Sequence, residues 1–122
     1  MTSPPGKPIL YLAWSLQLMA AAIFLMAGWK KLTGDAQMAE VFATIGLGQW
    51  FRYLTGGLEV VGAIALLWPR RIALGGAVLT VVMVGAVIAH LTVLGGSPLL
   101  AIVLLVACLM ITAMRRDTLP AR

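Results

Sequence analysis

The sequence predicts an all-α integral membrane protein, a four-helix bundle that crosses the bilayer up, down, up and down. Hydrophobic residues make up 61% of the 122 residues and charged residues only 11%, too few to cover a soluble domain. Apolar runs long enough to span a bilayer recur, with basic residues at their ends. The loops are short, so we expect one transmembrane domain over residues 1–122.

The first predicted span covers residues 8–29. These 22 residues carry no charge, which is longer than the apolar part of a usual signal peptide, and we therefore expect a retained span. Trp29 and the cations Lys30 and Lys31 follow, as is typical of a membrane interface.

A short amphipathic helix is predicted over residues 36–46, between the first and second spans and at the membrane surface. Asp35 is a candidate N-cap and Gly46 a candidate end. The apolar residues of this stretch recur at helical spacing: Met38, Val41, Phe42 and Ile45.

Three further spans are predicted over residues 53–68, 72–94 and 98–114. A Trp-Pro-Arg-Arg sequence ends the second span, and a Gly-Gly-Ser-Pro sequence at 95–98 divides the long uncharged run that follows. Four crossings put both termini on the side that carries six basic residues, against three on the other side. The positive-inside rule then predicts cytoplasmic termini, in a bacterial inner membrane.

The net charge of +5 does not indicate a nucleic-acid partner, because the basic residues flank apolar runs instead of forming a patch with stacking aromatics. Cys108 is the only cysteine, so no internal disulfide can form, and we expect it to pack in the core. We expect no metal site, since the potential ligands are too few, and a haem could use only His90.

Glu59 and His90 are costly inside a span and normally face the bundle interior or water. Glu59 lies roughly 10 Å below the outer end of its helix, taken at Arg52, and His90 roughly 7 Å below Gly95. Both therefore reach the outer half of the membrane. The alternative for each is a satisfied hydrogen bond that only fixes helix packing.

Lys31 supplies a cation at the same end of the bundle. It shares one helical stripe with Gln17, Ala21, Phe24 and Gly28. Lys31 could equally extend to the headgroups. If the three ionisable residues converge, they would suit a quinone headgroup, which needs hydrogen-bond donors and proton routes, or another small amphipathic ligand. Gln17 is a further candidate from the stripe alone.

Three motifs have the order and spacing of a known family. They are Phe24-x-x-x-Gly28-x-x-Lys31-Leu32, Gly57-Leu58-Glu59-x-x-Gly62 and Met83-x-x-Ala86-x-x-x-His90. In these motifs, and over about residues 8 to 116, the sequence resembles the DoxX family in its DoxX-like branch. The resemblance implies a four-helix membrane bundle in a family linked to redox chemistry, with one relative a subunit of a thiosulfate:quinone oxidoreductase and others tied to oxidative stress or thiol handling. Distant animal members act as membrane chaperones or cargo receptors.

Two functional hypotheses follow. In the first, the chain binds a quinone or similar lipophile, not covalently, and serves as an accessory subunit of a quinone-linked oxidoreductase whose partner protein supplies the redox centre. Lys31, Glu59 and His90, carried over from the motifs, would bind the ligand or handle protons. In the second, the chain is a non-enzymatic scaffold or chaperone that binds a partner through its helix faces. The sequence leaves open whether the chain is catalytic and whether it forms a homo-oligomer.

Overall fold

The computed structural model describes residues 5–119, and within that range the chain is all-α, with five α-helices and no β-strand. The α-helices are α1 (Lys7–Thr33), α2 (Ala36–Ile45), α3 (Gln49–Leu66), α4 (Ile72–Ala89) and α5 (Leu99–Met114). A π-helical segment, His90–Leu94, continues α4, and a 3₁₀ turn, Arg116–Thr118, follows α5. The predicted all-α class is confirmed.

The four longer helices form a closed ring of contacts. Helix α1 packs on α3, α3 on α4, α4 on α5, and α5 on α1. The ring encloses a core whose largest fully buried apolar side chains are Phe24, Leu66, Ile72, Leu79 and Ile111. Many large apolar side chains remain on the outside, as membrane helices require where they face lipid chains.

Helix α2 is present where the sequence predicts it. The Asp35 carboxylate accepts a hydrogen bond from the backbone N–H of Met38 at 3.3 Å, and Gly46 ends the helix with a φ of 84°. The buried ring of Phe42 lies 5.9 Å from the ring of Phe51. This contact holds α2 against the first turn of α3.

Two helices extend beyond their predicted limits. Helix α3 begins at Gln49, four residues before the expected start at residue 53, so the aromatic residues Trp50 and Phe51 are part of the helix and do not precede it. Helix α1 runs on to Thr33, which places Lys30 and Lys31 in its last turn. Cations are favourable there because they face the negative end of the helix dipole.

The predicted break at 95–98 is confirmed, but the span before it is not a uniform α-helix. The backbone N–H of Gly95 donates to the carbonyl oxygen of His90 at 3.1 Å, a bond over five residues that is typical of a π-helix. Gly95 and Gly96 then adopt positive φ angles, which reverses the chain before α5.

Among the residues described, two helical stretches are both long and apolar enough to cross a bilayer, Lys7–Thr33 and Ile72–Leu94. Helix α5 is apolar but has 16 residues, and α3 carries Arg52 and Glu59. By length and composition, two of the four predicted spans are thus long and apolar enough to cross a membrane.

Candidate functional site

A buried ion pair joins α1 to α3. The Lys31 ammonium nitrogen lies 2.8 Å from Oε1 of Glu59. The side chain of Glu59 is 2% exposed and that of Lys31 14%, so the acid is enclosed while the base keeps a path to the surface. The structure therefore brings together two of the residues that the sequence singles out, from helices that α2 separates along the chain.

Glycines allow the two helices to approach at this point. A Cβ added to Gly28 would lie 2.7 Å from Cγ2 of Val60 and 2.8 Å from the carbonyl oxygen of Gly56. A Cβ added to Gly56 would lie 2.8 Å from Cβ of Lys31. Because neither position has room for a methyl group, the close contact depends on glycine.

Arg52 is a third buried ionic group at this end of the bundle, 5% exposed. Its Nη1 donates to the backbone carbonyl of Lys31, and its Nε donates to Oε1 of Gln49 at 2.7 Å. The Lys31 carbonyl belongs to the last turn of α1, where helix carbonyls lack partners within the helix. Arg52 thus caps α1 from α3.

The buried carboxylate oxygen Oε1 of Glu59 has one charged partner. Oε1 of Glu59 lies 2.8 Å from the Lys31 ammonium, and it accepts no hydrogen bond from any other group within residues 5–119. A carboxylate oxygen can accept more than one hydrogen bond, so Oε1 can still accept a donor from a ligand or from water.

Lys31 also borders an open groove on the outside of α1, with a volume of about 360 Å³. The groove is predominantly apolar, and its lining residues are Ala22, Ile23, Met26, Ala27, Lys30, Lys31 and Met38. The side chain of Lys31 therefore lines this groove and also contacts the buried carboxylate of Glu59.

His90 does not join the pair. It is half-buried at the start of the π segment, and its Nδ1 lies 3.0 Å from the carbonyl oxygen of Gly95. Within the described chain it forms neither a hydrogen bond nor an ion pair with Lys31 or Glu59. Because a carbonyl can only accept, Nδ1 carries the hydrogen, and Nε2 of the neutral ring is left as an acceptor.

Gln17 faces the interior, as the stripe predicts, but it lies in the other half of the bundle. Its Nε2 donates to the carbonyl oxygen of Leu66 at 2.9 Å, and its Oε1 accepts from Arg115 Nη1 at 3.2 Å. Fourteen residues separate it from Lys31, about 21 Å along the helix. Its amide completes the end of α3 and does not contact the Lys31–Glu59 pair.

The interior roles of Arg52 and Arg115 were not predicted from the sequence, in which both appear as basic residues that flank apolar runs. A signal for Arg52 was present, since it lies seven residues before Glu59 and hence on the same helix face. No comparable signal marks Arg115, because its partner Gln17 is 98 residues away along the chain.

The other candidate chemistry is sparse. Cys108 is fully buried in the core. Over the part of the chain that the structure describes, no three His, Cys, Asp or Glu side chains are grouped as a metal site requires.

The profile of the DoxX-like family matches residues 15–114, which include Lys31, Glu59 and His90. The chain belongs to the DoxX-like family. It is accordingly a membrane protein, and the resemblance found in the three motifs is confirmed. Searches of curated proteins and of solved structures find no significant match to this DoxX-like protein.

Proposed function

We propose that this DoxX-like protein binds the headgroup of a quinone, or of a similar lipophile, in the groove beside α1. In that role it is an accessory subunit of a membrane redox system. The observation that carries the proposal is that Lys31 lines the groove while its ammonium contacts the buried carboxylate of Glu59. A ligand in the groove would thus meet a hydrogen-bond donor backed by an acid.

The chemistry of the groove suits such a ligand. Its apolar wall favours a hydrocarbon ring and tail, and its open side admits a molecule that arrives through the bilayer. The ammonium of Lys31 can donate to a quinone oxygen. Glu59, held behind it, balances that charge and can exchange a proton when the oxygen is reduced.

His90 has a secondary place in this proposal. It does not line the groove, but its Nε2 has no hydrogen-bond partner among residues 5–119 and is available as an acceptor. The π segment that begins at His90 packs against α2. Gln17 has no place in it, since both of its amide atoms are engaged by Leu66 and Arg115. Electrons must come from a partner protein that contains a redox centre.

A thermal-shift experiment tests ligand binding. Saturation with a short-chain quinone is expected to raise the melting temperature of the purified protein, because a ligand that binds only the folded state stabilises it. Glu59→Gln and Lys31→Met should each remove the shift. Glu40→Gln, on the exposed face of α2, is the matched control and should retain it. A quinone shift that persists in both site variants, or that is absent from the wild type, would contradict the proposal.

We also propose that all four longer helices cross the membrane, up, down, up and down, as one domain with cytoplasmic termini. Contacts between neighbours support opposite directions: Gln17, in the first half of α1, meets Leu66 at the end of α3, whereas the carbonyl of Lys31, near the end of α1, accepts from Arg52 in the first turn of α3. Likewise, Ala73 near the start of α4 donates to Thr118 beyond α5.

Cysteine labelling in cells tests this topology. In a Cys108→Ala background, Ser97→Cys is expected to react with a membrane-impermeant maleimide from outside. Gly6→Cys should react only after the membrane is permeabilised. Labelling of both positions from the same side would exclude three crossings between them.

The close contact of Gly28 and Gly56 favours a second candidate, a non-enzymatic scaffold. In that case the Lys31–Glu59 pair only fixes α1 on α3, and the protein acts by holding a partner against its helix faces. Loss of stability in Glu59→Gln with no quinone shift in the wild type is the outcome that favours it.

A further inference from the structure

A second groove lies on the outer face of the bundle between α3 and α4, at the end opposite the Lys31–Glu59 pair. Its volume is about 350 Å³, and its lining residues are Val61, Ile64, Ala65, Trp68, Arg71 and Leu74. The accessible wall is apolar throughout, although an arginine belongs to it. The methylene stem of Arg71 therefore lines the groove, and its guanidinium extends past the edge.

The groove is a fixed feature of the helix packing. A Cβ added to Gly75 would lie 2.7 Å from Cβ of Ala65 and 2.8 Å from the carbonyl oxygen of Gly62, so the backbones of α3 and α4 touch beneath it. Larger side chains stand on either side of this contact, among them Ile64 (50% exposed) and Leu74 (44% exposed). Because the two backbones cannot approach further, the groove between these side chains stays open at the outer face of the bundle.

The mouth of the groove carries positive charge without a counter-ion. Arg71 donates from Nη1 to the carbonyl oxygen of Arg70 at 3.1 Å, and neither arginine forms an ion pair with a carboxylate located between residues 5 and 119. Trp68, 57% exposed, stands at the same edge, and tryptophan is enriched at the level of lipid headgroups. The site thus combines an apolar groove with the unpaired cation of Arg71 and the interfacial ring of Trp68.

We infer that this groove binds an anionic phospholipid, with one acyl chain between α3 and α4 and the headgroup phosphate on the Arg71 guanidinium. The apolar wall accounts for the chain and the unpaired cation for the anionic headgroup. Guanidinium is the cation that best matches a phosphate, through two parallel hydrogen bonds. The binding is separate from the lipophile groove beside α1 and does not depend on it.

Arg70 provides a matched control. It has the same charge, is adjacent in the same loop and is exposed like Arg71, but it does not line the groove. If the groove binds the phospholipid, replacement of Arg71 must weaken lipid binding more than replacement of Arg70. If the basic loop merely attracts anionic lipid at long range, the two replacements must weaken lipid binding equally.

The test is a titration of the purified full chain in detergent with short-chain phosphatidylglycerol or phosphatidylcholine, with bound lipid counted by native mass spectrometry. The wild type and Arg70→Gln are expected to prefer phosphatidylglycerol. Arg71→Gln should weaken phosphatidylglycerol binding about fivefold, the effect of one basic residue at a lipid surface, and leave phosphatidylcholine unchanged. Arg71→Lys should retain part of the preference.

A variant that fills the groove tests whether the lipid chain binds there. Val61 is 63% exposed, so Val61→Trp fills the groove from outside without disturbing the core, and it should reduce the binding of both lipids. Equal losses in Arg70→Gln and Arg71→Gln, or unchanged binding in Val61→Trp, would overturn the inference. Competition by inorganic phosphate at concentrations that leave phosphatidylcholine bound would show that the cation binds free anions instead, and would equally overturn it.

Discussion

The Lys31 ammonium and the Glu59 carboxylate meet where α1 and α3 touch backbone to backbone, so one ion pair is part of the helix packing and also borders the groove. The two roles are linked by the length of the lysine side chain. Its Cβ lies over Gly56, inside the helix contact, while part of the side chain stays accessible at the groove. A change at either helix should therefore affect both packing and ligand binding.

Loss of Lys31 and loss of Glu59 should reduce the stability of the fold by different amounts. Lys31→Met leaves an enclosed carboxylate without a cation, whereas in Glu59→Gln the lysine can still reach the surface, so the first variant should lose more stability. A double-mutant cycle should give a coupling of about 1–3 kcal/mol. Unfolding in mixed micelles measures the free energies, with Glu40→Gln as the unaffected control. Additive losses would show that the two charges do not interact.

The contact of α1 with α3 should be sensitive to a single methyl group. Gly28→Ala places Cβ 2.7 Å from a methyl of Val60 and should destabilise the fold by about 1–3 kcal/mol through overpacking. Gly57→Ala, one residue from Gly56 on the same helix, meets nothing within 4 Å and should be neutral or slightly stabilising, because alanine is the better helix former. Thermal unfolding of both variants measures the difference. Equal melting temperatures would mean that the helices can separate without cost.

Gln17 should act through hydrogen bonds and not through a ligand. Gln17→Leu removes the hydrogen bonds to the Leu66 carbonyl and from Nη1 of Arg115, and it should cost about 1–3 kcal/mol in the free energy of unfolding. The quinone-induced shift of the remaining folded protein should be unchanged. Gln37→Leu, at an exposed position of α2, is the control and should cost little. Loss of the quinone shift in Gln17→Leu alone would return Gln17 to the ligand site.

His90 should populate one tautomer in its neutral form. The carbonyl of Gly95 requires a hydrogen on Nδ1, so ¹⁵N NMR of histidine-labelled protein should show a protonated Nδ1 and an unprotonated Nε2. Replacing the π segment by an α-helical sequence, with His90 retained, should remove this preference. A predominance of the Nε2–H form would exclude the hydrogen bond to Gly95.

The sequence alone determined which stretches are helical and where several of the helices stop. Those limits are set locally: Asp35 caps α2, Gly46 ends it, and Gly95 turns the chain, each through its own side chain or backbone freedom. Composition determined the class for a similar reason, because so few charges cannot cover a soluble surface. Counting along helices also gave Glu59 and Lys31 the same end of the bundle.

Only the tertiary structure decided which of these residues touch. Distance along a helix gives depth but not the direction or reach of a side chain, so similar depth did not distinguish Lys31 from His90 as the partner of Glu59. The roles of Arg52 and Arg115 depended on acceptors from distant parts of the chain, a carbonyl of α1 and the amide of Gln17. Such pairings follow from the rotation of each helix about its axis, which is fixed by the packing of the whole ring.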